Sequence, residues 1–222
     1  MSTTAPQPPS HARSSHRIET PRLILRSASV NDAKPFALIR SDPLNNPFGG
    51  VVNATLPEEE QRRRLAAQTE STAAGKNAWV NIIYKPKHGN DIPESARELL
   101  VHDGILIGMS GFNSFPVEDG ILVGDTGVLI DHRFARRGLA IEALEAVVEY
   151  GFNELGCGKM SLETNAINNP FRALMRSMEL GDVEKPGGGV GEEESVVYVF
   201  GREKFEEVKA NLKLRGKWYP KT

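Results

Sequence analysis

The sequence predicts an α/β protein in which a mixed sheet carries helices on both faces. Three observations point there. Short aliphatic, β-rich runs alternate along the chain with segments of helical periodicity. The 222 residues, 39% hydrophobic and 25% charged, suffice for one sizeable core and are tight for two. Twenty-one glycines and 14 prolines supply the turns that so many connections need.

Residues 1–17 stand apart. They are rich in Ser, Pro and Thr and lack large aliphatic side chains, so they offer little apolar area against the entropy of ordering. They are expected to form a disordered tail ahead of a single domain over residues 18–222. No hydrophobic stretch of the secretory type is present, and three prolines oppose the amphipathic helix of a transit peptide.

The elements follow in order. Arg22-Leu23-Ile24-Leu25-Arg26 is a charge-flanked strand. Ser29 to Asp32 offer capping side chains to a helix that Asp42-Pro43 closes. Thr55 to Glu60 combine a cap, an early proline and acids, and open a helix running toward Gly75. The Arg62-Arg63-Arg64 run within it reads as a solvated face paired with those glutamates. Strands are expected at 78–84, at 98–102 and 105–113 joined by Asp103-Gly104, and at 121–130. Gly124 and Gly127 mark a bulge or a close backbone approach within the last of these. Ala140–Leu155 is the clearest helix, with Ile141, Leu144, Val148, Phe152 and Leu155 at helical spacing. A strand at 160–164, a helix opened by Pro170 and a strand at 194–200 complete the pattern.

Composition excludes several classes. Twenty-seven basic against 29 acidic residues give a net charge of −2, which opposes a general nucleic-acid surface. No apolar run reaches the length of a membrane span. Cys157 is the single cysteine, so no internal disulfide or cysteine-rich zinc module can form, and the histidines lack metal-ligand spacing. A cytoplasmic protein that uses no metal is expected.

The chemistry concentrates in residues 121–181. Asp131 to Ala140 lie between a strand and the strongest helix, where unpaired N–H groups meet the positive end of the helix dipole. Gly138 and Ala140 let an anion approach the main chain, and Arg136 and Arg137 add cations. The residues alone allow either a diphosphate nest or a tight turn with two solvated arginines. Neither the P-loop nor the three-glycine dinucleotide fingerprint is present.

The stretches Leu122–Ile130, Ala135–Ala140 and Asn168-Asn169-Pro170-Phe171, behind the opening Glu19-Thr20-Pro21-Arg22-Leu23-Ile24-Leu25-Arg26, resemble the GNAT N-acetyltransferases. The similarity is to the branch typified by the RimJ/RimL ribosomal-protein N-terminal acetyltransferases and spans roughly residues 17–205. The resemblance implies a mostly antiparallel central sheet, acetyl-CoA as co-substrate and a primary amine of a small molecule or peptide as acceptor. It places the coenzyme's pantetheine arm against Val128, Leu129 and Ile130. Its diphosphate falls on Arg136, Arg137, Gly138, Leu139 and Ala140, with Asn168 and Phe171 beside it. Ala135, where the family carries Gln or Arg, departs from the motif, as does Phe171 at a serine position. Met175 replaces a tyrosine that many members use as an acid, and Glu179-Leu180 replace Gly-Phe. The acceptor pocket would draw on loops near 43–55, 84–97 and 114–120.

Direct transfer needs a base for the protonated amine. Asp125 and Glu163 are the candidate carboxylates, and Tyr198 is a candidate acid. Cys157 has no histidine partner, which opposes nucleophilic catalysis. Sheet edges in such folds often pair, so a homodimer is a further expectation. A coenzyme-binding module without catalysis and a purely structural domain are the alternative readings.

Overall fold

A computed structural model describes residues 10–45, 47–48, 57–87, 92–189 and 194–218. The chain enters through β1 (Arg17–Glu19) and β2 (Leu23–Arg26), then α1 (Ala33–Ser41) and α2 (Glu58–Ala73). Next come β3 (Ala78–Tyr84), β4 (Leu100–Val101), β5 (Gly104–Ser114), β6 (Val117–Glu118), β7 (Ile121–Thr126) and β8 (Leu129–Ile130). The second half runs through α3 (Leu139–Asn153), β9 (Lys159–Asn165), α4 (Asn169–Ser177), β10 (Glu184–Pro186), β11 (Ser195–Gly201) and α5 (Arg202–Leu214).

The sheet order is β1-β2-β3-β5-β7-β9-β11-β10, with β4 and β8 on β5 and β6 on β7. Every pairing is antiparallel except β7 with β9. In β2, β3 and β5 consecutive residues are buried, and successive strand side chains point to opposite faces, so both faces are covered there. Leu25, Ile82, Ile83, Leu106 and Ile107 form the centre of the core.

Local chemistry sets these elements. Ser29 Oγ accepts from Asn31 N at 3.2 Å while Asp32 Oδ2 accepts from Ser29 N at 2.8 Å, a reciprocal cap ahead of α1. Asp32 also binds Arg26 at 2.7 Å, and Arg26 reaches Asp103 at 2.9 Å, which locks α1, β2 and the β4–β5 turn together. Helix α3 lies directly on the sheet. A Cβ at Gly151 would stand 2.6 Å from both the Met160 methyl and the Phe112 ring, so only glycine permits this approach.

Four expectations need correction. The run 121–130 is two strands, because Ser110 Oγ captures the Gly127 carbonyl at 2.6 Å and Thr126 Oγ1 binds the Gly111 carbonyl at 2.6 Å. The strand at 98–102 shrinks to Leu100–Val101 behind a 3-10 turn, and its hairpin turns at His102-Asp103. Helix α5 was not anticipated, although Phe205, Val208 and Leu212 bury one face of it. Of the tail expected over residues 1–17, residues 1–9 lie outside the described residues, and residues 10–16 pack on the end of α3. Ser10 Oγ donates to Leu155 O at 2.7 Å and Arg13 to Glu154 O at 2.8 Å, satisfying carbonyls left open at the end of α3. His11 stacks on Phe115 at 4.5 Å, and His16 is buried with Nδ1 3.0 Å from the Tyr150 hydroxyl. The expected cap at Thr55 lies outside the described residues.

Candidate functional site

The sheet opens where β7 ends. β7 pairs with β5 on one side and β9 on the other, whereas β8 pairs only with β5 among the described residues. The edge of β8 that would face β9 is therefore free, and a cavity of about 600 Å³ occupies the gap. Val128, Leu129 and Ile130 line one wall, and Arg136, Gly138, Leu139, Ala140 and Ile141 a second. Asn168, Phe171 and Leu174 of the α4 region form a third, and Leu44, Asn45 and Phe48 complete the lining.

The second wall is a run of main-chain donors. Arg136 (φ 64°) and Gly138 (φ 72°) are left-handed, and this backbone turns successive N–H groups toward one side. The N–H groups of residues 136–141 find no described acceptor. Helix α3 begins at Leu139, so the last three of them carry the positive end of its dipole. Arg136 holds a conformation that costs a residue with a Cβ about 1–2 kcal/mol.

The carbonyls of this loop face the other way. Arg22 donates to Arg137 O at 2.9 Å and to Gly138 O at 3.3 Å. Its Nε binds Glu142 Oε2 at 2.6 Å, and Glu142 is fully buried on the first turn of α3. Glu142 Oε1 accepts from Thr20 Oγ1 at 2.5 Å and from Arg22 N at 3.0 Å. The start of β2 thus grips the start of α3.

A second latch centres on Asn45. Asn45 donates to Ile39 O and to Asp131 Oδ2, each at 3.0 Å, and accepts from His132 N at 2.7 Å. Asp131 is buried, which alone would raise its pKa. The Arg133 guanidinium at 2.7 Å and the Asn45 amide outweigh this and hold it below the usual carboxylate range. On the third wall Asn168 Oδ1 accepts from Phe171 N at 3.1 Å and its amide donates to Thr164 Oγ1 at 2.9 Å. Asn168 therefore caps α4 while lining the cavity.

The structure brings together Val128, Leu129, Ile130, Arg136, Gly138, Leu139, Ala140, Asn168 and Phe171 in this lining. Arg137 stands outside it, its guanidinium 5.3 Å from the Phe134 ring centroid. The three candidate catalytic residues are also outside it. Asp125 is the penultimate residue of β7, just before the break. Burial raises its pKa, hydrogen bonds from Asn113 and from Ser114 at 3.3 Å oppose this, and nearby Glu163 adds to the rise. Glu163 shares its sheet face, since Asp125 pairs with Ser161 two residues earlier on β9. It accepts from Ser195 Oγ and from Gly188 N at 3.1 Å, organising the loop before β11.

Tyr198 is corrected. Its hydroxyl is buried and donates to Glu184, itself paired with Arg172 at 2.6 Å. Burial and that carboxylate push its pKa up to about 12, so it is not placed as an acid toward the cavity. Burial likewise pushes the Cys157 thiol up to about 11, the opposite of an activated nucleophile. Met175 is a core residue. Leu44 and Phe48, in the 43–55 stretch expected of the acceptor pocket, belong to this lining, as do Ala173 and Ser177, which escaped the sequence reading. A helix with polar and apolar residues on opposite faces, as α4 has, was the available signal for the last two.

Comparison with known proteins places the chain by family and by fold. The family model described as "Acetyltransferase (GNAT) domain" matches residues 22–180. Mycobacterium smegmatis RimJ in complex with CoA-disulfide superposes with a TM-score of 0.65 at 12% identity, covering 92% of this chain and 96% of that one. FdhC, a nucleotide-linked sugar GNAT in its apo form, gives 0.66 at 16% identity over 92% and 98%. A GNAT-family acetyltransferase from Bacillus anthracis gives 0.59 at 18% identity over 85% and 99%. At these identities the likeness is one of fold. No curated protein sequence matches. Among the described residues no helix is long and apolar enough to cross a membrane.

Proposed function

This chain belongs to the GNAT acetyltransferase family, and from that premise we propose that it moves an acetyl group from acetyl-CoA directly to a primary amine, of a small molecule or of a peptide N-terminus. One observation carries the coenzyme assignment. Residues 136 and 138–141, whose N–H groups are unpaired among the described residues, and the free edge of β8 line two walls of one cavity. The first suits a diphosphate, with Arg136 as a neighbouring cation. The second suits an extended arm carrying amide groups, paired as a strand is paired.

The reacting carbonyl then falls to the break between β7 and β8. The N–H groups of Gly127 and Val128 find no described acceptor there and can receive the developing oxyanion. Asp125, just before the break, takes the proton of the attacking amine. Its raised proton affinity suits that task, because a base works best when its pKa approaches the working pH. The amine nitrogen bonds to the carbonyl carbon, the carbon–sulfur bond breaks, and the sulfur leaves as thiolate. An ordinary thiol ionises near pKa 8.5, so this departure asks little of an acid. That supports a mechanism in which Tyr198 has no part. The acceptor approaches over the sheet face that Asp125 and Glu163 share.

Calorimetry with coenzyme A tests the first half and thiol release from acetyl-CoA across an amine panel the second. Binding with turnover on at least one amine is expected. No heat at millimolar coenzyme A would overturn the cavity assignment, and binding without release on any amine would overturn the transfer.

A further inference from the structure

We propose that Arg22, at the head of β2, is a positioning residue for the coenzyme's diphosphate, acting through the main chain of the loop before α3. The assignment rests on the coenzyme reading above only for the identity of the anion. Arg22 is not among the residues that line the cavity. It holds the carbonyls of Arg137 and Gly138 at 2.9 and 3.3 Å on the far side of the loop. In a trans peptide the C=O and the following N–H point in opposite directions. Fixing these two carbonyls therefore fixes the Gly138 and Leu139 N–H groups away from Arg22, and both residues line the cavity.

The guanidinium also polarises the two peptide groups it holds, which makes their N–H groups better donors to an anion. Its own direction is set by Glu142, with Nε at 2.6 Å from Oε2 and the Arg22 N–H at 3.0 Å from Oε1. Thr20 Oγ1 completes the carboxylate's partners at 2.5 Å. Lysine cannot reproduce the arrangement. Its single ammonium lacks the planar fork that spans two carbonyls and a carboxylate at once.

The test compares two ligands that differ in the diphosphate, coenzyme A and free pantetheine, by calorimetry on folded protein. In the wild type coenzyme A is expected to bind far more tightly than pantetheine. The ratio of the two affinities is expected to fall by about 10- to 100-fold in Arg22→Lys, the loss of one or two good donors to a charged oxygen. The double variant Arg22→Met/Glu142→Met removes the clasp without stranding a buried charge, so it keeps a folded readout if the lysine variant does not. Thr20→Val, which loosens the same network without freeing the two carbonyls, is expected to keep the wild-type ratio. A folded Arg22→Lys or double variant with the wild-type ratio would overturn the proposal. So would a Thr20→Val that lowers the ratio as far as Arg22→Lys does. Wild-type protein that binds coenzyme A no better than pantetheine would instead overturn the diphosphate assignment itself.

Discussion

The two halves of the sheet are built differently. In β2, β3 and β5 inward and outward side chains alike are buried, and buried ion pairs tie the strands to α1 and α3. In β9 and β11 burial alternates. Met160, Leu162, Tyr198 and Phe200 are buried, while Ser161, Glu163, Val197 and Val199, opposite one another in register, are partly or fully exposed. The first half is a rigid base with no free face. The second keeps a face open, and β7 and β8 divide at the boundary. A binding loop needs a fixed support and a reaction needs an accessible surface, and one sheet supplies both by changing how it is covered.

Substitutions can break or sharpen this contrast. On the open side, Asp125→Asn is expected to lower kcat by about 10²- to 10⁴-fold, the usual worth of a general base. Its coenzyme affinity and thermal stability should hold, and a parallel loss of stability would show the open half to be structural. The wild-type kcat should also fall on the acid side at a pH above the ordinary carboxylate range, following the raised pKa of Asp125. On the closed side, Glu142→Ala removes the fully buried carboxylate that Thr20 and Arg22 share and should cost about 3 kcal/mol in urea unfolding. A loss below 1 kcal/mol would deny the closed half its rigid character.

The edge of the closed half predicts a pH effect. Burial, then the nearby charges of Arg13 and His11, lower His16 from 6.5 to about 4. A histidine that folds neutral stabilises fully above its unfolded pKa. Stability should therefore drain away as pH falls from about 6.5 to about 4, by about 3 kcal/mol in all. Asp103 and Asp131, whose pKa values lie below the usual range, lose their contributions only at lower pH. A flat stability profile between pH 7 and 4.5 would contradict the packing of residues 10–16. The smallest effect is expected at the end of α4, where Glu179 sits at φ 57°. Glu179→Gly should relieve about 1 kcal/mol of backbone strain, offset in part by losing the exposed pair with Arg215. Any destabilisation on melting would contradict the strained assignment.

Much of this was legible in residue order. The aliphatic runs gave the central strands, the spacing of Ile141, Leu144, Val148 and Phe152 gave α3, and Gly138 with Ala140 marked the loop that lines the cavity. The split of residues 121–130 was not legible, because the hydroxyl that pulls Gly127 out of the strand belongs to Ser110, on β5. Tyr198 carried the right chemistry for an acid, but its hydroxyl is held by a carboxylate 14 residues away. Residues 10–16 looked unable to order themselves. Their partners are the open carbonyls at Glu154 and Leu155, which no local pattern advertises.

The sequence by itself determined which segments become strands and helices, because periodicity and capping act over a few neighbouring residues. It also determined that a glycine-containing loop opens the longest apolar helix. Only the tertiary structure decided that Arg22 meets Glu142 across 120 positions of chain, that β8 is left with a free edge, and that Asp125 and Glu163 share an uncovered face. Those outcomes depend on which surfaces the packed core leaves exposed, and burial is a property of the whole fold.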